Sequence, residues 1–504
     1  MSGILHTPLF LSVQFNYMKK NKLISFSIGP IVSAILALVT LPIMSWLFTQ
    51  EAIGRYSILQ VAVTCFSLML AMGLDQAYVR FFQTEDKKGE LLKIVMLPGL
   101  SVFILTLFVL VISGFRFSEF LYDYKNSYLD LLFVLCVFFT FVNSILTLIL
   151  RMNGLGWAFS FSQIIPKFMM LLLLLLMFFL SKRNNSFLSL NIFLCISLGS
   201  SFLFFSFINR NEILNAAKSI FNKSKFMHYF KFGFPLFGAT FFYWMLTSVD
   251  RFYIKYLSSL SELAIYSVAA SFASVVSVVI AVFGNLWHPT VYKWHADAVP
   301  LEKYKTVMDL ITIVVVVIWS MFGVFSSLLI YVLPSDYESI SYIVVGCVAA
   351  PLMYLLSEST VIGIGISKKT GYAFCASFSA MLVNLMLNYL LIPSFGAVGA
   401  VFSSMISFYI FFILRTEFSV HLWNTFPRFK MYFIIFVYLL FSSINIFLYQ
   451  FNFIVIGSGF KYFISLFWLL LMFSCIALYR KSIVNIFCYF KINYLGDVKY
   501  ANNS

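Results

Sequence analysis

Ten side chains could do chemistry here because of where they fall. Asp75, Arg80, Lys167, Asp250, Arg251, Lys255, His288, Glu358, Asn384 and Asn388 all stand inside or at the ends of long apolar runs. A charge at the centre of a bilayer costs a few kcal/mol or more, so each needs a partner or a task. Arg80, Lys255 and His288 lie near the ends of their runs, where snorkelling to the interface explains them. Asp75 and the adjacent Asp250-Arg251 read either as stitching between helices or as ion-coupling groups. Asn384 and Asn388 share one helix face at i, i+4, which suits interhelical hydrogen bonds or a polar cavity. Lys167 and Glu358 lie deepest, with no opposite charge beside them in sequence, and read as cavity-lining. Lysine and arginine in such a cavity would hold an anion. A buried carboxylate would take up a proton more readily than a solvated one.

Other chemistry is missing from the sequence. It contains no Walker loop, H-E-x-x-H or G-x-S-x-G, and its five histidines are scattered. The seven cysteines (Cys65, Cys136, Cys195, Cys347, Cys375, Cys475 and Cys488) form no C-x-x-C, and nearly all lie in apolar runs. They read as small core residues. The expectation is a protein that is not an enzyme and has no catalytic residue, metal or cofactor. Prolines 42, 98, 166, 235, 289 and 351 fall inside apolar runs and are expected to kink helices.

The elements that position these residues follow from composition. The chain is 62% hydrophobic and 11% charged, with a mean hydropathy of +0.95. Soluble domains run at about 45–50% apolar and about 25% charged. Such a chain belongs in a bilayer, and a crossing helix needs roughly 20 apolar residues. About fourteen such stretches follow one another, centred near Ile35, Leu68, Phe103, Phe138, Leu172, Leu198, Phe242, Val275, Val315, Val348, Val383, Phe408, Ile435 and Leu470. Alternate loops, counted from the N-terminus, hold 25 basic residues and the opposite set 8, with Lys167 inside a span. Basic loops stay cytoplasmic, so both termini are expected there; only Lys182-Arg183 pulls the other way. The net charge of +15 is then a matter of loops and lipid, not of nucleic acid. No small-residue cleavage site follows the first apolar stretch, and Met18-Lys19-Lys20 reads as an alternative translation start to Met1.

The sequence also repeats. Arg55-Tyr56-Ser57-Ile58 and Ile265-Tyr266-Ser267-Val268 sit at matching places after a leucine, 210 residues apart. Trp157-Ala158-Phe159-Ser160 resembles Tyr372-Ala373-Phe374-Cys375 at an offset of 215. Both offsets equal six spans, so two halves share one orientation about an axis along the membrane normal, as in parallel-repeat transporters. The expected plan is all-α and polytopic. A cytoplasmic segment (1–23) leads into a six-helix lobe (24–208), a basic connector (209–231) and a second six-helix lobe (232–418). Two extra helices (430–480) and a cytoplasmic tail (481–504) complete it. No segment outside the membrane is long enough for an ATPase or a soluble catalytic domain.

The order LFTQEAIGRYSI, GLDQAYVRFF, FGFPLFGATFFYWMLTSVDRFYI, LAIYSVA and NLMLNYLLIPSFGAVGAVFSSMIS resembles the bacterial O-antigen/polysaccharide flippases. Their superfamily includes the multidrug and toxic-compound extrusion transporters and the lipid II flippase. The resemblance spans roughly Ile24 to Arg415. It implies a V-shaped pair of six-helix lobes and a substrate in which an oligosaccharide repeat unit is joined by pyrophosphate to undecaprenol. That unit would pass from the cytoplasmic to the periplasmic leaflet of the inner membrane by alternating access, with H+ or Na+ as the candidate coupling ion. It also implies neighbours among other polysaccharide-assembly membrane proteins. Arg80 and Arg251 match the positions where the family's cationic cavity is expected, and Lys167 joins them as substrate-binding by its depth. Asp75, Asp250, Glu358, Asn384 and Asn388 are the ion-coupling or cavity candidates. The lipid II branch carries charges in its first span; Ile24 to Phe48 has none. Two rivals stand beside this reading: an O-antigen polymerase or ligase, which needs a large periplasmic loop missing here, and a multidrug exporter of the same superfamily.

Overall fold

A computed structural model describes residues 20–179, 186–451 and 460–480. Met18, Lys182-Arg183, the greater part of segment 1–23, and the tail from 481 lie outside the described residues. Within them the fold is helical, with no strand. Ten helices are long and apolar enough to cross a membrane, or twelve if each of two bent pairs is one span.

The first half comprises α1 (Lys20–Leu47), α2 (Gln50–Ala71), α3 (Leu74–Phe81), α4 (Lys88–Ser113), the short α5 (Phe117–Tyr122), α6 (Ser127–Met152), α7 (Gly156–Phe179) and α8 (Phe187–Ile208). The connector forms α9 (Arg210–Lys218). The second half holds α10 (Lys223–Ser248), α11 (Asp250–Leu257), α12 (Leu260–Ala273), α13 (Val276–Ala296), α14 (Leu301–Phe325), α15 (Ile340–Cys347), α16 (Ala349–Thr360), α17 (Ile362–Ser367) and α18 (Gly371–Leu422). Two further helices follow, α19 (Phe429–Gln450) and α20 (Phe460–Leu478).

Side-chain bonds between distant loops fix which helix ends share a face. On the face nearer the start of α1, Lys225 Nζ donates to Glu85 (2.8 Å), Lys93 Nζ to the Ser219 carbonyl (2.7 Å) and Lys430 Nζ to the Leu478 carbonyl (2.6 Å). On the far face, Trp46 Nε1 donates to the Val332 carbonyl (3.0 Å), Gln50 to the Asp336 carbonyl (2.6 Å) and Lys255 to the Phe120 carbonyl (3.1 Å). Each bond joins segments that strict up-and-down alternation puts on one side.

Two breaks refine the span count. At 1.5 Å per residue the 52-residue α18 would run about 78 Å, more than twice a hydrocarbon core. Gly396 divides it with φ 54° and ψ −128°, a conformation that a β-carbon would forbid. The second part restarts at Ala397, whose N–H donates to Glu262 of α12 (2.8 Å), a carboxylate cap borrowed from a neighbouring helix. The described stretch Tyr462–Leu478 is shorter than a full crossing. Length and composition therefore give ten to twelve apolar helices among the described residues, with the two parts of α18 counted as one, where the sequence suggests about fourteen spans. The sharp bends also fall away from the prolines. They measure 43° between α10 and α11 and 41° between α12 and α13, while Pro42, Pro98, Pro166, Pro235 and Pro289 each sit inside a continuous helix.

The halves meet along α2 and α12 at the far face. There Ser57 and Ser267, equivalents in the repeat, share a hydrogen bond of 2.6 Å. A β-carbon on Gly54 would lie 2.3 Å from the Leu260 carbonyl oxygen, so only glycine lets the two backbones approach this closely. Towards the near face, α3 meets α10, with the backbones of Gly73 and Gly233 in contact and the rings of Phe81 and Tyr229 stacked at 4.6 Å. The extra helices dock on α14 and α15. Trp319 Nε1 donates to Ser442, Ser320 bonds Tyr438, and the Trp468 ring lies over Gly323.

Candidate functional site

The second half encloses two buried polar clusters at different depths. The first is built around Asp250, the residue at the α10–α11 bend. Its carboxylate is 0% exposed. Tyr266 and Ser404 each donate a hydroxyl to Oδ2 at 2.6 Å, and Asn388 Nδ2 donates to Oδ1 at 2.6 Å. Asn388 Nδ2 also reaches Asn384 Oδ1 at 3.0 Å. The structure thus joins Asp250, Asn384 and Asn388 and adds Tyr266 and Ser404. Among the described residues no cation lies within ion-pair distance of Asp250, an unusual state for a buried carboxylate. Two amide atoms of the cluster, Asn388 Oδ1 and Asn384 Nδ2, are buried without a partner. Carboxylate, carboxamide and hydroxyl oxygens are the donors that hard cations prefer. The residues therefore fit a bound Na+ or a shared proton.

Arg251, next in sequence, turns elsewhere. Its guanidinium lies 5.7 Å from the Tyr266 ring centre and donates to the Thr247 carbonyl at 3.4 Å. The expected Asp250-Arg251 pair is thus a buried carboxylate and a half-buried cation that share Tyr266 as a neighbour without bonding one another.

The second cluster lies nearer the other face. Glu358 of α16 is 7% exposed in its side chain and accepts from Arg415 Nη1 (2.9 Å) and His288 Nε2 (2.9 Å). Arg415, 13% exposed, also donates to Ser357 Oγ at 2.7 Å and lies over the rings of Tyr354 (5.5 Å) and Phe411 (5.1 Å). Two expectations are corrected here. Arg415, counted by its place in the sequence among the 25 basic residues of the alternate loops, sits inside α18, where the apolar run FYIFFILRTEF hid it. His288 does not simply snorkel; it is held by a buried carboxylate. Lys255 is corrected likewise. Its side chain is 3% exposed and pairs with Asp123 at 3.3 Å on the far face, adding a tie between the halves.

The remaining candidates belong to the first half. Lys167 is exposed although Ser160 and Leu174, two turns either side on the same face of α7, are buried. Asp75 is half-buried, with Gln76 donating to it at 2.8 Å, and Arg80 is exposed near the end of α3. Arg80, Lys167 and Arg251 stand on three different helices, α3, α7 and α11.

The sequence profile of the family described as polysaccharide biosynthesis protein matches residues 20–295, more than half the chain. The chain belongs to that family. Among curated proteins, none matches it significantly by sequence. Its fold is similar to that of lipid II flippase MurJ in an inward closed conformation, at 20% identity and a TM-score of 0.63, covering 91% of this chain and 100% of that one. It is also similar to a multidrug resistance MATE family transporter of the MOP superfamily. The inward-facing form aligns at 13% identity and TM-score 0.56 over 81% of this chain and 97% of that one. The outward-facing form gives 0.52 over 80% and 95%, also at 13% identity. This member of the polysaccharide biosynthesis protein family thus has the all-helical transporter fold its sequence suggests. Its profile match ends at α13, so Glu358, Asn384, Asn388, Ser404 and Arg415 lie beyond it.

Proposed function

We propose that the protein is a flippase for polysaccharide repeat units carried on undecaprenyl pyrophosphate. It moves them from the cytoplasmic to the periplasmic leaflet of the bacterial inner membrane by alternating access. The near face is then cytoplasmic, and residues 24–208 and 232–418 act as the two rocking bodies. The observation that carries this reading is a pair of similar halves whose equivalent residues touch at one end, with an accessible lysine at mid-depth between buried neighbours. A pyrophosphate and its sugars cannot cross hydrocarbon bare, because each unsatisfied polar group costs several kcal/mol. Lys167, Arg251 and Arg80 supply cationic donors at successive depths, while the polyprenyl chain stays in lipid. Coupling is assigned to Asp250, with Asn384 and Asn388 as its scaffold. Among the described residues that carboxylate has no cation within ion-pair distance, and a proton or Na+ would supply one.

Deletion of the gene tests the reading. Lipid-linked units trapped on the cytoplasmic leaflet support it. Single units reaching the surface without chain growth point to a polymerase, and normal glycan with altered drug sensitivity to an exporter. Asp250→Asn, which keeps the side-chain shape, should abolish dependence of flipping on the ion gradient. An unchanged dependence refutes the coupling assignment.

A further inference from the structure

At the far face the first half carries a cavity of about 330 Å³ that the transport scheme leaves unused. Arg55 and Glu51 of α2, its N-cap Thr49, Tyr124 ahead of α6, and Ser186 and Phe187 at the start of α8 line it. The volume falls in the range of small-molecule sites, about 300–1,000 Å³. Among the described residues, the other charged side chains at this end of the first half are closely paired. Arg116 meets Asp130 at 3.3 Å, Lys125 meets Glu119 at 3.5 Å and Asp123 meets Lys255 at 3.3 Å. Arg55 and Glu51 stand 3.9 Å apart, beyond hydrogen-bond distance. Arg55 Nε is buried with no hydrogen-bond partner, and the guanidinium lies 5.6 Å from the Tyr124 ring centre. The Thr49 and Ser186 hydroxyls accept from the N–H groups of Ala52 and Leu188, and each keeps a hydrogen to donate. The cavity points away from the second half. Gly54 and Ser57 meet α12, whereas Arg55 lies about 100° round the helix from Gly54 and about 160° from Ser57. Nor does the repeated fold require the charged pair. At an offset of 210 residues Thr49 corresponds to Ser259, also an N-cap, but Glu51 and Arg55 correspond to Ser261 and Ile265.

We propose that this cavity holds the headgroup of a phosphatidylethanolamine in the far leaflet. It lies at headgroup depth, because Tyr124 and Tyr128 are exposed beside it and tyrosine collects at the membrane–water interface. Since α2 begins at this face, Arg55 sits about 6 Å deeper than Glu51. A phospholipid of that leaflet presents its charges in the same order, phosphate next to the glycerol and ammonium outward. The phosphate takes the guanidinium donors, the buried Nε among them, together with the Thr49 and Ser186 hydroxyls. The ammonium takes the Glu51 carboxylate, which is 65% exposed at the mouth where Arg55 is 28% exposed. Phosphatidylglycerol brings the phosphate but no cation, and leaves Glu51 facing a like charge. Phosphatidylcholine brings the cation but no N–H to donate. Nothing in the cavity depends on which cargo the protein moves.

The test is native mass spectrometry of the full chain in detergent, titrated with phosphatidylethanolamine or phosphatidylglycerol of the same acyl chains. Wild type should bind the ethanolamine lipid about tenfold more tightly, the scale of one charge-assisted hydrogen bond. Arg55→Gln should weaken that binding by about tenfold or more, with its thermal midpoint unchanged. Glu51→Gln, at an exposed position, should bring the two lipids level. Equal binding of both lipids by wild type overturns the assignment. So does an unchanged preference in Glu51→Gln, or an unchanged affinity in Arg55→Gln. Inorganic phosphate as competitor separates the two sources of the anion: if it alone displaces the lipid, the cavity is a free-phosphate site and the lipid assignment fails. Should Arg55→Gln not fold, Glu51→Gln decides the matter by itself.

Discussion

Replacing Ser57 and Ser267 together by cysteine tests whether the two halves part at the far face. Their hydroxyl oxygens are 2.6 Å apart in the seam, and both residues are buried. Sulfurs on longer Cβ–S bonds at the same positions come within reach of a disulfide, which needs about 2.05 Å between them. With the exposed Cys375 changed to serine, oxidation should cross-link the pair without disturbing the packing. The bond closes a loop of 210 residues, for which chain entropy gives about 5 kcal/mol of stabilisation. A raised thermal midpoint on oxidation would register it. The larger effect is on turnover. If transport requires the seam to open, oxidised protein in proteoliposomes should stop flipping, and reductant should restore it. Quantitative cross-linking with undiminished flipping refutes alternating access through this seam. Failure of the cysteines to cross-link refutes the contact itself.

Three further outcomes follow from the same geometry. Gly54→Ala places a β-carbon 2.3 Å from the Leu260 carbonyl oxygen, a backbone atom that cannot turn aside; a loss of about 1–3 kcal/mol should appear as a lower thermal midpoint. Glu358→Gln or Arg415→Gln alone strands a buried charge and should cost roughly 3–5 kcal/mol. The double variant should recover most of that loss, and a double as unstable as the worse single would show the pair is not the reason. At the near face, hydrogen bonds from Lys225 and then Tyr229 hold the Glu85 carboxyl below the usual glutamate range. Its contribution is complete above about pH 4.3, the unfolded value, and disappears as pH falls through the lower folded value. Midpoints measured across this range should therefore fall less steeply in Glu85→Gln than in wild type.

The sequence made some of this plain and concealed the rest for physical reasons. Apolar runs of bilayer length betray helices directly, because hydrocarbon forces backbone groups to pair within the segment. The repeat located Ser57 and Ser267 as equivalents, but not that they touch; that requires them to lie beside the symmetry axis. Asn384 and Asn388 declared their shared face through helical spacing, and Asp250 its depth. The Tyr266 and Ser404 hydroxyls that complete the cluster are common in membrane helices and carry no signal of their own. Arg415 was obscured by its place near the end of a long apolar run, where a cation ordinarily belongs to the following loop. Its carboxylate lies 57 residues earlier, and only tertiary packing joins them. The bends escaped too, because prolines can sit within otherwise continuous helices while Gly396 and the α10–α11 and α12–α13 joints do the turning.

The serine pair at the seam has a genealogical side. In a two-fold dimer of one half, such a bond would join a residue to its own copy, so every substitution there would be felt twice at once. Fusion into a single polypeptide removes that constraint. Position 57 and position 267 can drift separately, and one half is free to specialise, as the charged clusters gathered in the second half illustrate.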